Sequence, residues 1–266
     1  MFPFRNILFP DDSVNAQAAL KYATAFAQHG HGNVVLFSVQ DAKTELASKI
    51  AQAAIDHDID LITVALRDRN LLTRTFSSSL GEDIIAESPC AVLAVRPPQR
   101  DFVNGQSEIE LKRVLLATNF RPSSAAATQL ATQMCNQLGA ELHAVYVIGD
   151  YFEQISVIFP EGGLAALTRL RSYVQERMAQ LSRSAGATHI AEGRPYQEIV
   201  KLADTLQADL IVIGTAVHGS LFGNSQVLGS EIERVIRNAP CPVLCVPAAR
   251  VVTPLPALVT QTVPQM

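Results

Sequence analysis

DLIVIGTAVHGSLFGNSQVLGS, residues 209–230, opens with an apolar run, Leu210-Ile211-Val212-Ile213. The run is β-branched and short enough to be a buried parallel strand. Gly214 ends it, a loop holding Gly219 and Gly223 follows, and Gly229-Ser230 leads into EIERVIRN, which reads as a helix. A strand, a glycine-rich loop and a helix start together can cradle a phosphate. Glycines let the backbone approach a ligand, free N–H groups face the anion, and the helix N-terminus favours negative charge. Ser230 stands where its hydroxyl could cap the helix or donate to a phosphate. A glycine-rich connection that merely turns fits these residues equally well.

The 266 residues are enough for two ordinary domains or one large one. With 48% hydrophobic residues, no Trp and a net charge of −4, the chain has no basic excess to suggest nucleic acid and no acidic solvating run. MFPFRNILFPDDS at the start is broken by Asp11 and Asp12, which predicts neither a signal peptide nor a membrane span. Cys90, Cys241 and Cys245 lie in strand-like runs and Cys135 in a helix, with no CxxC pairs. Buried thiols in a reducing cytoplasm are therefore expected.

Taken in order, strands are expected at 6–9, 33–39, 60–65 and 90–95, with helices from Asp12-Ser13 to about Gln28, over 44–57 and within LGEDIIAES. PPQRDFVNGQSEIE reads as a linker. The pattern then restarts: strand 112–118, a helix capped by Ser123-Ser124, strand 141–148, a long helix over 162–185, a strand near His189, a helix over 196–206, the glycine-rich unit, and CPVLCV. Alternating strands and helices predict parallel α/β architecture.

The two halves align with each other. Ile7-Leu8-Phe9 matches Val114-Leu115-Leu116, 107 residues on; Asp60-Leu61-Ile62 matches Asp209-Leu210-Ile211, 149 on; Pro89-Cys90 matches Pro240-Cys241, 151 on. The jump between the first two offsets implies that the second half carries an extra helix and strand, roughly Gly149 to Ala191. A flavodoxin-like order with the third strand at the edge would let the shorter half fold without it. Where the second half has its glycines, the first reads ALRDRNLLTRTFSSS, with Asp68 where a phosphate would be repelled. The first half therefore reads as a scaffold and the second as the binder. The units are 1–98, a linker 99–110, 111–250 with the loop, and a tail 251–266.

These residues carry a family resemblance. The chain resembles the tandem universal stress proteins, whose nucleotide-binding members share G-x2-G-x9-G-[ST] after the fourth strand. Gly219, nine residues, then Gly229-Ser230 fits the later part of that motif, and DLIVIG before it and EIERVIRNAP with CPVLCV after it also fit. The resemblance implies two Rossmann-like (flavodoxin-like, HUP-type) parallel-sheet repeats paired through their last strands as an intramolecular pseudo-dimer. It implies phosphates at Gly219, Ser220, Gly229 and Ser230, with the ribose end near Asn119, where the family has an acid. Adenine would lie near Ala117 and Val147. The first motif glycine falls on Ala216, with Gly214 a substitute through a longer loop. The implied cofactor is ATP, or AMP or ADP, with or without Mg²⁺.

His218 beside Gly219 reads as a phosphate contact or as a solvated loop histidine. His29 and His31 flank Gly30 without further ligands, so no metal site is expected. YFEQISVIFP, 151–160, could cover the cleft, form an interface or pack locally. No HIGH-like pair, SGGxDS loop or Walker lysine is present, and no general base is placed, so no catalytic residue is assigned. Three functions follow: a non-catalytic, cytoplasmic, nucleotide-binding stress-response protein; a nucleotide-free scaffold; and a slow ATPase. The first implies an adenine nucleotide, an unknown protein partner and a possible homodimer as partners, with no nucleic acid or membrane.

Overall fold

The computed structural model describes residues 2–11, 16–38, 45–66, 77–97, 99–149, 160–183, 185–215, 218–219, 226–227 and 229–248. The first repeat runs β1 (Asn6–Asp11), α1 (Ala16–Gly30), β2 (Asn33–Ser38), α2 (Leu46–Asp56), β3 (Leu61–Ala65), α3 (Ser77–Glu87) and β4 (Ala91–Val95). The second runs β5 (Arg113–Ala117), α4 (Pro122–Leu138), β6 (Glu141–Gly149), α5 (Pro160–Leu181), β7 (Ala187–Gly193), α6 (Pro195–Thr205) and β8 (Leu210–Thr215). It closes with β9 (His218–Gly219), β10 (Gln226–Val227), α7 (Ser230–Asn238) and β11 (Val243–Pro247).

Among the described residues nine strands form one sheet, ordered β2-β1-β3-β4-β11-β8-β5-β6-β7. All neighbours are parallel except β4 and β11, where Ala94 faces Val243, Leu93 faces Leu244 and Val92 faces Cys245. That antiparallel joint fuses the repeats through their last strands into the expected pseudo-dimer. Within the second repeat the order is the Rossmann one, third strand outermost, rather than the flavodoxin one, in which the third strand is central. The edge position of β7 is what allows the first repeat to dispense with its counterpart.

The inner strands, such as β3, β4, β8 and β11, are nearly continuous apolar runs because both faces are covered. On one face Tyr22 and Phe26 of α1, Met134 and Cys135 of α4, and Val174 and Met178 of α5 join a single core. On the other, Ile50 of α2, Ile85 of α3, Ala203 of α6 and Val235 of α7 pack together. The polar segment after β4 is no free tether. Phe102 is buried with its ring 4.8 Å from Tyr22, and the Tyr22 hydroxyl donates to Asp101 Oδ1 at 2.7 Å.

The repeat extends to individual hydrogen bonds. Asp60 Oδ2 accepts from the backbone N–H groups of Arg5 (2.9 Å) and Asn6 (3.0 Å), and Asp209 Oδ2 accepts from those of Lys112 and Arg113 (both 2.8 Å). Each aspartate, standing just before its fourth-type strand, pins the start of the repeat's first strand. Asp60→Ala and Asp209→Ala should each cost about 1–2 kcal/mol, from the loss of charge-assisted bonds at a partly solvated site. The two costs should add in the double variant, measured by urea denaturation.

Helix starts differ from the sequence expectation. Pro122 opens α4 with Arg121 as N-cap, so Ser123 and Ser124 lie inside the first turn. Gly229 is the N-cap of α7, making Ser230 its first helical residue. Asp12-Ser13, the loop around Asp68, residues 151–159 and the tail 251–266 lie outside the described residues.

All four cysteines are free thiols. Burial pushes Cys135, Cys241 and Cys245 up to about 12. Unfolded thiols ionise near pH ~8.5, so above that pH the unfolded chain sheds protons that the native state keeps, and stability falls as pH rises. Urea midpoints should drop between pH 8 and 10, and Cys245→Ala should flatten that dependence.

Candidate functional site

In an open parallel sheet, ligands bind beyond the carboxyl ends of the strands, where the strand order reverses. In the second repeat that point lies between β5 and β8, and a cavity of about 230 Å³ occupies it. The strands supply Ala117, Val145, Val147, Ile213 and Gly214. The β5–α4 connection supplies Thr118 and Asn119, the first turn of α4 supplies Ser124, α6 supplies Pro195 and Ile199, and α7 supplies Glu231, Ile232 and Val235. The walls are therefore mostly apolar, with hydroxyl and amide groups on one side and a carboxylate on another.

The β5–α4 connection is braced from within. Thr118 Oγ1 accepts from the Phe120 N–H at 3.2 Å and donates to Ser124 Oγ at 3.1 Å, and the Ser124 hydroxyl also lies 3.0 Å from the Arg121 carbonyl, which accepts from it. Asn119 Oδ1 accepts from the Arg121 N–H at 3.0 Å. Phe120 holds a left-handed backbone, φ 56°, which costs a bulky residue roughly 1–2 kcal/mol. Its ring stacks on Tyr146 at 5.3 Å, with Arg177 over its face at 5.4 Å, contacts that offset the strain.

Gly214 and Gly229 are glycines for opposite reasons. A Cβ on Gly214 would sit 2.0 Å from the Ser123 carbonyl oxygen and 2.8 Å from Ser124 Cα. Gly214 thus lets the first turn of α4 lie directly on β8, and its hydrogen matters for packing rather than for a loop. Gly229 has φ −65°, ψ 135°, and a Cβ there would meet only Ile232 Cδ1 at 3.9 Å. Nothing among the described residues requires that glycine, and α7 begins without a side-chain cap. The Ile232 and Glu233 N–H groups donate back to the Gly229 carbonyl at 2.9 and 3.2 Å, so the helix-start donors without a partner among the described residues are those of Ser230 and Glu231.

Glu231 is the residue that sequence reasoning missed. Its carboxylate lines the cavity, accepts from the Tyr196 N–H at the start of α6 at 3.1 Å, and pairs with Arg234 at 3.0 Å. It thereby ties two helix N-termini together. In sequence it is one acid on an amphipathic helix. Thr215, two residues beyond Ile213 on the same face of β8, is 1% exposed, and its Oγ1 has no hydrogen-bond partner among the described residues.

Of the residues singled out from sequence, Ala117, Asn119, Val147 and Gly214 line this one cavity. Gly229 and Ser230 start the helix that contributes Glu231 and Ile232 to its wall. His218 and Gly219 form β9, paired antiparallel with Val227 and Gln226, so part of the loop is a short hairpin. Ala216 and Ser220 lie outside the described residues. In the first repeat Leu66, the counterpart of Thr215, is buried, and its side chain packs at Gly81 of α3. Among the described residues no group of three His, Cys, Asp or Glu could hold a metal ion, and no helix is long and apolar enough to cross a membrane.

Comparison with known proteins agrees with this architecture. The chain is 33% identical over 145 residues to a universal stress protein of Methanocaldococcus jannaschii, covering 51% of this chain and 81% of the relative. It is 33% identical over 138 residues to a universal stress protein of Thermus aquaticus, covering 51% of this chain and 98% of that one. Among solved structures it is similar in fold to a functionally unknown protein from Pseudomonas aeruginosa, with TM-score 0.66 and 19% identity over 92% of this chain and 93% of that one. A universal stress protein from Archaeoglobus fulgidus gives TM-score 0.59 and 20% identity over 91% and 98%. The universal stress protein family model matches residues 43–96 and 110–247, one segment in each repeat. The chain belongs to the universal stress protein family.

Proposed function

We propose that the chain binds an adenine nucleotide in its second repeat, ATP foremost and AMP or ADP as relatives, and acts without catalysis as a cytoplasmic stress-response regulator. The observation that carries this reading is the apolar cavity at the strand-order reversal, next to the uncapped start of α7. At about 230 Å³ it is below the ~300–1,000 Å³ of pockets that enclose a whole ligand. It suits the base and part of the sugar, leaving the phosphates outside. Val145, Val147, Ile199 and Ile213 offer the base apolar contact; Asn119 and Ser124 offer the sugar hydroxyls polar partners. The Glu231 carboxylate disfavours a phosphate within the cavity and directs it toward the Gly229–Ser230 N–H groups. Mg²⁺, where it accompanies a triphosphate, would rest on phosphate oxygens.

The non-catalytic reading rests on the lining. Its one carboxylate is already engaged by Tyr196 and Arg234, and no His or Lys lines the cavity among the described residues. Binding would act by favouring one conformation or partner, since a ligand shifts only equilibria in which it prefers one state. Titration calorimetry with ATP and with adenosine tests the reading. Both should bind one site, ATP more tightly, and Val147→Trp, which fills the apolar wall, should weaken both by at least about tenfold. Equal affinity in Val147→Trp would place the ligand elsewhere.

A further inference from the structure

The two repeats provide an internal control for what covers each edge of the sheet. In the second, β7 pairs along the outer edge of β6, and α5 packs over its face. Among the described residues the first repeat has no such helix and strand, and β2 ends the sheet. Matched through their equivalent pairings, Asn33 with Asn6 and Glu141 with Arg113, β2 and β6 differ sharply in exposure. Leu142 and Ala144 are 3% and 0% exposed, whereas Val34 is half-buried and Leu36 is 66% exposed.

The backbone at this edge is ready to pair. The Asn33 N–H donates inward to the Arg5 carbonyl at 2.8 Å, so by strand alternation the N–H and C=O groups of Val34, Leu36 and Ser38 point outward. In the second repeat the outward carbonyl of Leu142, counterpart of Val34, accepts from the Gly186 N–H at 2.8 Å. Exposed edges are normally blunted by charge, proline or shortness. NVVLFS carries neither charge nor proline and is six residues long.

We propose that two copies of the chain pair antiparallel along β2, about a twofold axis at Leu36. An identical strand is the occupant that fits. In that register Leu36 faces its own copy and Val34 faces Ser38, so every outward backbone group on these residues is matched. Pairing centred on Val35 would leave Ser38 unmatched. The Leu36 side chains meet on one face and Val35 meets Phe37 on the other, covering the apolar surface that β7 and α5 cover in the second repeat. The molecule already uses this joint internally, between β4 and β11, and the dimer would continue the same sheet.

Sedimentation velocity on the full chain at tens of micromolar tests this. Wild type should sediment as a dimer and Leu36→Lys, with two like charges opposed at the axis, as a monomer with unchanged circular dichroism. Leu36→Cys should form a disulfide-linked dimer under mild oxidation that wild type does not. A monomeric wild type, a dimer that persists in Leu36→Lys, or a Leu36→Cys chain that fails to cross-link would each overturn the proposal.

Discussion

Gly229→Asp should abolish nucleotide binding while leaving the protein as stable as before, or slightly more so. The residue is the N-cap of α7, in extended backbone that any residue adopts, and among the described residues its added Cβ meets only a methyl group at 3.9 Å. Aspartate is a favoured N-cap, worth a few tenths of a kcal/mol over glycine. The same carboxylate would stand among the N–H groups proposed to receive the phosphates. Two like charges about 4 Å apart near a protein surface repel by roughly 4 kcal/mol, enough for a loss of at least about a hundredfold in affinity. Thermal melting and ATP calorimetry on the same preparation separate the two effects. Tight binding in the variant would move the phosphates away from α7.

Gly214→Ala should do the reverse, damaging the fold first and the site through it. Its methyl would overlap the Ser123 carbonyl and crowd Ser124, both backbone of the first turn of α4, with no flexible side chain to yield. Either α4 lifts from β8 or the centre of the sheet bends. The expected cost is about 3 kcal/mol or more, at the upper end of overpacking effects. Because Ser124 and Thr118 brace the β5–α4 connection, a shifted α4 should also misplace Asn119 and weaken nucleotide binding beyond what instability explains. A variant that melts within a degree or two of wild type would contradict this packing role.

These two glycines also show what sequence can and cannot reveal. Both stood out in the same stretch, and each was read as part of a phosphate loop. Close approach between β8 and α4 depends on a contact nearly a hundred residues away in sequence, which local pattern does not encode. The doubled Asp-Leu-Ile was legible as a repeat, since alignment needs only spacing. Its physical reason, a carboxylate pinning the first strand, emerged only once the strands were neighbours. The missing edge unit was legible for the same reason, through the jump in offset.

The cavity was half legible. Ala117, Asn119, Val147 and Gly214 stand at or just beyond strand ends, where α/β proteins hold ligands, so topology alone points at them. Glu231 and Ile199 enter from helices whose orientation depends on packing. Phe102 illustrates the opposite failure: surrounded by Arg, Asp, Asn and Gly, it reads as linker, yet its ring completes an aromatic cluster with Tyr22 and Phe26. Composition averages over neighbours, whereas burial is decided by one side chain finding a hole.

The most direct measurement is the nucleotide content of the purified protein. The chain is denatured, any released nucleotide is identified by mass spectrometry, and ATP is titrated into the stripped protein by calorimetry. One adenine nucleotide per chain, lost in Gly229→Asp, is the expected result and would make the second repeat the working site. Two per chain, or none with no heat on titration, would contradict it: the first would make the first repeat a binder as well, the second would leave a scaffold.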